Sequence, residues 1–215
     1  MIMINNATPE DLKQIDNLDK LLETDPNNIK ILMEKAFVLY SCFMDEEAVL
    51  VYKKIIEIDP NFVDAYFWMA ECMRDHLADF DEAIAAMHIA LKLDPSRADC
   101  HEILAWCILS LHNDTPEYFY HIRKSIELEP TWIAPRISLI ESLINLGNFV
   151  EAQQELNAIK AQIKASPVIH FDEDLWNMEV HYECLITRRA STRNKESIEK
   201  FQKKIDAGLQ KVIGG

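Results

Sequence analysis

The segment IIEIDPNFVDAYFWMAECM, residues 55–73, carries an apolar helical pattern into Asp59-Pro60 and starts another one a few residues later. Proline lacks a backbone N–H, and its ring pushes the preceding residue out of the helical region, so the first helix must stop ahead of Pro60. The same corner recurs along the chain. LLETDP ends at Pro26, ALKLDP at Pro95 and SIELEP at Pro130, so the successive spacings are 34, 35 and 35 residues. Self-similarity at such a period marks one supersecondary unit used several times, each copy unable to bury its apolar face alone.

Between corners each unit reads as two amphipathic helices. The first helices are ILMEKAFVLYSC, DAYFWMAECM, ADCHEILAWCIL and IAPRISLIESLI; the second are EEAVLVYKKIIEI, DEAIAAMHIALKL, PEYFYHIRKSIEL and VEAQQELNAIKAQI. Asp79 with Glu82 predicts a capped helix start. Thr115-Pro116 predicts another, with the proline in the first helical position. Pro135 falls in a first turn, where it is tolerated. Helices this short are marginal alone, and stacking has to supply the missing burial.

Composition narrows the class. Hydrophobic residues are 49% of the 215, enough for a core, and glycine occurs four times, too seldom for the turns of an all-β fold. Net charge is −14, unevenly spread: residues 188–215 hold eight basic and three acidic side chains, leaving residues 1–187 at −19. An acidic body disfavours nucleic acid, whose affinity comes from Lys and Arg displacing counterions, and favours cationic partners. Cys42, Cys72, Cys100, Cys107 and Cys184 are odd in number, with no CxxC pair, and read as reduced thiols of a cytoplasmic protein. The N-terminal MIMINNATPEDL has no signal-peptide character, and no apolar run reaches membrane-spanning length.

The repeat resembles the tetratricopeptide repeat (TPR) family over roughly residues 10–165. In one unit the family's slots hold Leu32, Ala36, Leu39, Ala48, Tyr52 and Pro60; in the next, Tyr66, Ala70, Met73, Ala83, Ala90 and Pro95. A third has Leu104, Ala105, Ile108 and Pro130, but Tyr118 stands in a slot for a small residue. A fourth has Leu139, Leu143, Ala152, Leu156 and the turn LGNFVEA, with Ile140 replacing a small residue and no closing proline. The resemblance implies an all-α, right-handed superhelical solenoid of stacked helix-turn-helix units with helical caps. Residues 1–28 form an N-terminal capping helix, 29–62, 63–97, 98–132 and 133–166 four units, and 167–215 a C-terminal capping hairpin. In the last helix Ile198, Phe201, Ile205, Leu209 and Val212 make one apolar docking stripe, with Lys203, Lys204 and Lys211 off it.

Members of this family bind an extended peptide or a helix on the concave face, formed by the first helix of each unit. Carried onto this sequence, that face offers Met33, Phe37, Tyr40, Phe67, Glu71, Arg74, Glu102, Trp106, Leu109, Ile137 and Glu141, aromatic and acidic in character. Phe37 and Trp106 are the expected exposed anchors. The Lys/Asn/Arg clamp of TPR adaptors that read acidic chaperone tails is missing, since its slots hold Met33, Phe37, Asp99 and Ile103. The expected partner is therefore an apolar or basic segment of another protein, held by an adaptor, chaperone or inhibitor; small acidic TPR proteins of this size resemble bacterial secretion chaperones. A self-associating scaffold, beginning with a homodimer, is the alternative.

No catalytic or cofactor motif stands out. His101-Glu102 opens like a zinc-protease helix, but Ala105 replaces the second histidine of HExxH. His181 with Cys184, near His170 and Asp172, lacks a recognisable second ligand pair. The expectation is a non-enzymatic protein with no cofactor and no metal.

The small slots carry a stability consequence. At Ala70, where paired helices meet, a larger side chain overpacks the contact, so Ala70→Leu is expected to destabilise the fold by about 1–3 kcal/mol. Thermal melts of the two proteins measure this, and equal melting temperatures would contradict the alignment.

Overall fold

The computed structural model describes residues 7–112, 115–165 and 199–210. It contains α1 (Pro9–Thr24), α2 (Ile29–Ser41), α3 (Asp45–Ile58), α4 (Val63–Cys72), α5 (Phe80–Leu93), α6 (Ala98–His112), α7 (Pro116–Leu128), α8 (Ile133–Asn145) and α9 (Phe149–Ala165). A last helix, α10, runs through 199–210. There is no strand among the described residues. The fold is all-α and built of helical hairpins joined at the acid–proline corners. By contacts the chain divides into two compact units, Met1–His121 and Ile122–Gly215.

Each corner is made the same way. Asp25, Asp59 and Asp94 follow the last residues of α1, α3 and α5 with nearly identical backbone angles, φ between −134° and −140° and ψ between 78° and 96°. That is the extended conformation a residue before proline must take. The N–H groups of Asp59 and Asp94 still close a last helical turn, 2.8 Å from the Ile55 and Ala90 carbonyls. Their carboxylates then accept the backbone N–H two residues on, from Asn61 and Ser96, each at 3.0 Å. An Asx turn thus folds the chain over the proline. Ser96 adds its hydroxyl at 2.6 Å, and these bonds hold the Asp94 carboxyl below its ordinary pKa.

Helix starts follow the same local logic. Thr8 caps α1 in a reciprocal box with Asp11, and Pro9 begins the helix. Asn28 caps α2 by accepting from the Ile31 N–H at 3.2 Å, Asp79 caps α5 by accepting from Glu82, and Thr115 caps α7 by accepting from Tyr118.

In the first unit α2 packs on α3, α3 on α4, α4 on α5 and α5 on α6. Ala36, Ala48, Ala70, Ala83 and Ala105 are completely buried at these contacts, so the backbones approach closely there. Tyr118, in the slot of Ala48 and Ala83, is also fully buried. In the second unit α8 and α9 enclose Leu139, Ile140, Leu143, Ala152, Leu156 and Ile159. On α10, Phe201 and Ile205 are buried, Lys203 and Lys204 are exposed, and Gln202 bonds to Gln153 and Lys160 of α9. Gly208 lies flat on the Phe149 ring; a Cβ there would come within 2.3 Å of it. Ile198, Lys211 and Val212 lie outside the described residues, as do the expected helix FDEDLWNMEVHYECLITRR and the residues His170, Asp172, His181 and Cys184.

The hairpin turns explain the irregular spacing. The second repeat is one residue longer than the first between its small slots, Ala70 to Ala83 against Ala36 to Ala48. The extra residue is absorbed by a π turn at Met73–Leu77, which widens the helix end by one residue before the chain reverses. The reversals pass through the left-handed region at Phe43 (φ 60°), Ala78 (φ 53°) and Gly147 (φ 79°). Only Gly147 adopts that conformation without a Cβ penalty. Gly147→Ala is expected to cost about 1 kcal/mol, and Ala78→Gly to stabilise by less, because glycine also loosens the unfolded chain. Urea denaturation of both variants reads the two opposite shifts.

Candidate functional site

Helices α2, α4 and α6 each follow an acid–proline corner, and their side chains meet along one face of the first unit. The centre is Trp68 of α4. The Phe37 ring stands edge-on to it at 5.7 Å, Tyr40 lies tilted at 5.9 Å, and Phe67 is edge-on at 5.3 Å. Phe37, Tyr40 and Trp68 are half-buried, so the cluster is packed below and open above. Edge-to-face contacts of this kind hold aromatic rings in fixed orientations.

Beside the rings lies a charged cluster. Arg74, in the π turn that follows α4, bonds Glu71 at 2.9 Å and reaches Glu102 of α6 at 4.0 Å. Glu71 and Glu102 are 9% and 8% exposed. A second arginine ties the helix starts together. Arg97 forks onto Asp99 at 2.6 and 2.8 Å, bonds Asp64 at the start of α4 at 2.6 Å, and lies 5.3 Å above the Phe67 ring. Bidentate geometry makes this pairing strong, and the two carboxylates push the Arg97 pKa upward. In each set one guanidinium lies between two carboxylates.

The predicted face residues fall into distinct environments. Met33, Phe37, Tyr40 and Leu109 are half-buried, and Trp106 is 44% exposed. Phe67, expected on the open face, is only 2% exposed; it is an interior residue pinned beneath Arg97 and Trp68. Glu71, Arg74 and Glu102 are brought together as one cluster rather than as separate surface charges. Ile137 and Glu141 belong to the second unit, half-buried and exposed respectively. Trp68 and Arg97 were not foreseen. Trp68 is one position off the slot series, and Arg97 lies in a corner, outside any helix.

His101 of α6 meets His121 of α7. The Nδ1 atoms of His101 and His121 are 2.8 Å apart and both side chains are buried. One Nδ1–H donates to the other's lone pair, an arrangement that survives only while the pair is not doubly charged. Burial, first, and then His101 and exposed His88 depress the His121 pKa to about 4. Among the described residues no three potential ligands gather as a metal site, and no helix is long and apolar enough to cross a membrane.

The family model for the tetratricopeptide repeat matches residues 51–85, from α3 through α4 into α5. No curated protein matches the chain. Among solved structures, one of MamA is 21% identical, covering 70% of this chain and 86% of its own at a TM-score of 0.64. MamA from Desulfovibrio magneticus RS-1 is 13% identical, covering 74% and 89% at 0.66. YrrB, a TPR protein with an unusual peptide-binding site, is 19% identical, covering 89% and 91% at 0.59. At these identities the likeness is one of fold.

The histidine pair sets a pH dependence. An unfolded histidine titrates near 6.5. Between that pH and about 4 the unfolded chain takes up a proton that folded His121 refuses, so stability falls as pH falls through the window and is regained as it rises. His121→Phe should shrink the drop in melting temperature between pH 7 and pH 4.5 relative to wild type; an unchanged drop would place the acid sensitivity elsewhere.

Proposed function

We propose that the face shared by α2, α4 and α6 holds an apolar or basic segment of a partner protein, in a chain whose residues 51–85 match the tetratricopeptide repeat. Tetratricopeptide repeats are protein-interaction modules and not catalytic ones. The observation that carries the reading is the juxtaposition of half-buried Phe37, Tyr40 and Trp68 with the exposed Trp106 on a strongly acidic chain. Aromatic anchors concentrate binding energy at interfaces, and a few of them cost 2 kcal/mol or more on truncation. The acidic surround favours a cationic or neutral segment and repels an acidic one. The fold is shared with YrrB, in which it carries a peptide-binding site. Under this reading the protein acts as an adaptor, chaperone or inhibitor. We place it in the cytoplasm, where Cys42, Cys72, Cys100 and Cys107, all buried, pack as small apolar groups.

A photo-crosslinking amino acid tests the face. Placed at Trp106, it is expected to trap a partner in cells of the source organism, and Phe37→Ala should lower the yield. Placed at Tyr120, which is 61% exposed on α7, it should trap little. Equal adducts from both positions would remove the assignment, and adducts of the chain with itself would point to self-assembly instead.

A further inference from the structure

The repeats act as controls for one another where His101 meets His121. His101 stands four residues before the buried Ala105 of α6, the slot that Leu32 and Tyr66 fill in the two preceding repeats. His121 stands three residues after Tyr118, the slot that Val51 and Ala86 fill. The fold is therefore content with side chains that place no imidazole in either slot. Two imidazoles there, 5% and 8% exposed, carry a desolvation cost that an apolar pair avoids. Departures from a local rule concentrate at functional positions. A third histidine stands beside them: His88, exposed on α5, has its ring centre 6.5 Å from that of His121. Three successive helices thus bring one histidine each to the same place.

The spacing of the buried pair is that of two ligands on one ion. Two nitrogens held at about 2.0–2.1 Å by a metal stand about 2.8–3.4 Å apart, from a right-angled to a tetrahedral arrangement. The Nδ1 atoms of His101 and His121 are 2.8 Å apart. Over the same range of geometries the centres of two imidazole rings sharing an ion are about 4.5–5.2 Å apart, and these two are 5.0 Å apart. We propose that His101 and His121 bind a divalent transition-metal ion through their Nδ1 atoms, with His88 turning in as a third ligand and water filling the remaining positions. The ion takes the place of the hydrogen bond between the rings. The proton on the donating Nδ1 moves to the Nε2 of the same ring, so both imidazoles stay neutral and each offers a lone pair. His88 lies about 1.3 Å beyond the range for a shared ion, a distance that an exposed side chain covers by rotating. Two ligands are therefore preset and the third closes on binding. Imidazole suits Zn(II), Ni(II) and Cu(II), whereas Mg(II) and Ca(II) take oxygen ligands. The net charge of −14 adds a general attraction for cations.

Titration calorimetry of the full chain, stripped of metal with a chelator and held at pH 7.5, tests the site. Zn(II) and Ni(II) are each expected to bind one ion per chain at micromolar concentration and to raise the melting temperature, and Mg(II) to do neither. At pH 5.5 Zn(II) should bind more weakly, because protons compete for the ring nitrogens. His121→Phe should weaken Zn(II) binding at least tenfold. His88→Ala changes an exposed side chain and should weaken it several fold. His112→Ala removes an exposed histidine at the C-terminal end of α6 and should leave the affinity as it is. Melting curves establish which variants are folded, and His88→Ala decides the matter where His121→Phe is not. No saturable binding of Zn(II), an affinity that either His121→Phe or His88→Ala leaves unchanged, or an equal loss on His112→Ala would overturn the proposal.

Discussion

The constraint on which the rest depends is the acid–proline corner. Proline ends a helix by removing a donor, and the acid before it is forced into one extended conformation. That conformation is reproduced at Asp25, Asp59 and Asp94 within a few degrees in φ, so each hairpin leaves its predecessor in nearly the same direction. A repeated exit angle brings equivalent side chains of α2, α4 and α6 together on one face. It also keeps the helices to 10–16 residues through α1–α7, lengths at which isolated helices are marginal in water. Their stability therefore comes from neighbours, and the completely buried alanines are where neighbours approach most closely.

Charge in the first unit is arranged to join repeats. Arg97 and Arg74 each bridge successive first helices, one at the helix starts and one a few turns along. Partly buried ion pairs add little net stability, because desolvation offsets the attraction. Their value lies in geometry: a forked guanidinium between two carboxylates fixes how α4 and α6 are set relative to each other.

The order of helices and their limits were legible in the sequence, because the proline period and the apolar period are both strong signals. The pairing across the face was less so. Phe67 and Trp68 are adjacent aromatics, and helical periodicity near a helix start does not separate neighbours about 100° apart. Slot counting selected Phe67, but the Arg97 guanidinium covers that ring and leaves Trp68 to meet Phe37 and Tyr40. Arg97 itself sits in a corner, where periodicity carries no information. Gly208 escaped notice for a different reason: its role is an absence of side chain against the Phe149 ring, and nothing local in the sequence announces which ring will arrive there.

The deviations from a perfect repeat are where the structure becomes specific. A π turn absorbs the extra residue after α4, so the turn changes while Ala70 and Ala83 both stay completely buried. At α7 the substitution is in the slot itself. Tyr118 occupies the place of an alanine and is fully buried. Three residues along the same helix, His121 pairs with His101 of α6. Two buried imidazoles joined by one hydrogen bond tolerate a wider approach than two alanines, and they satisfy each other's polar atoms inside it. A bulky residue and a polar pair are thus departures on the same helix, one buried in an alanine slot and the other buried as two imidazoles that satisfy each other.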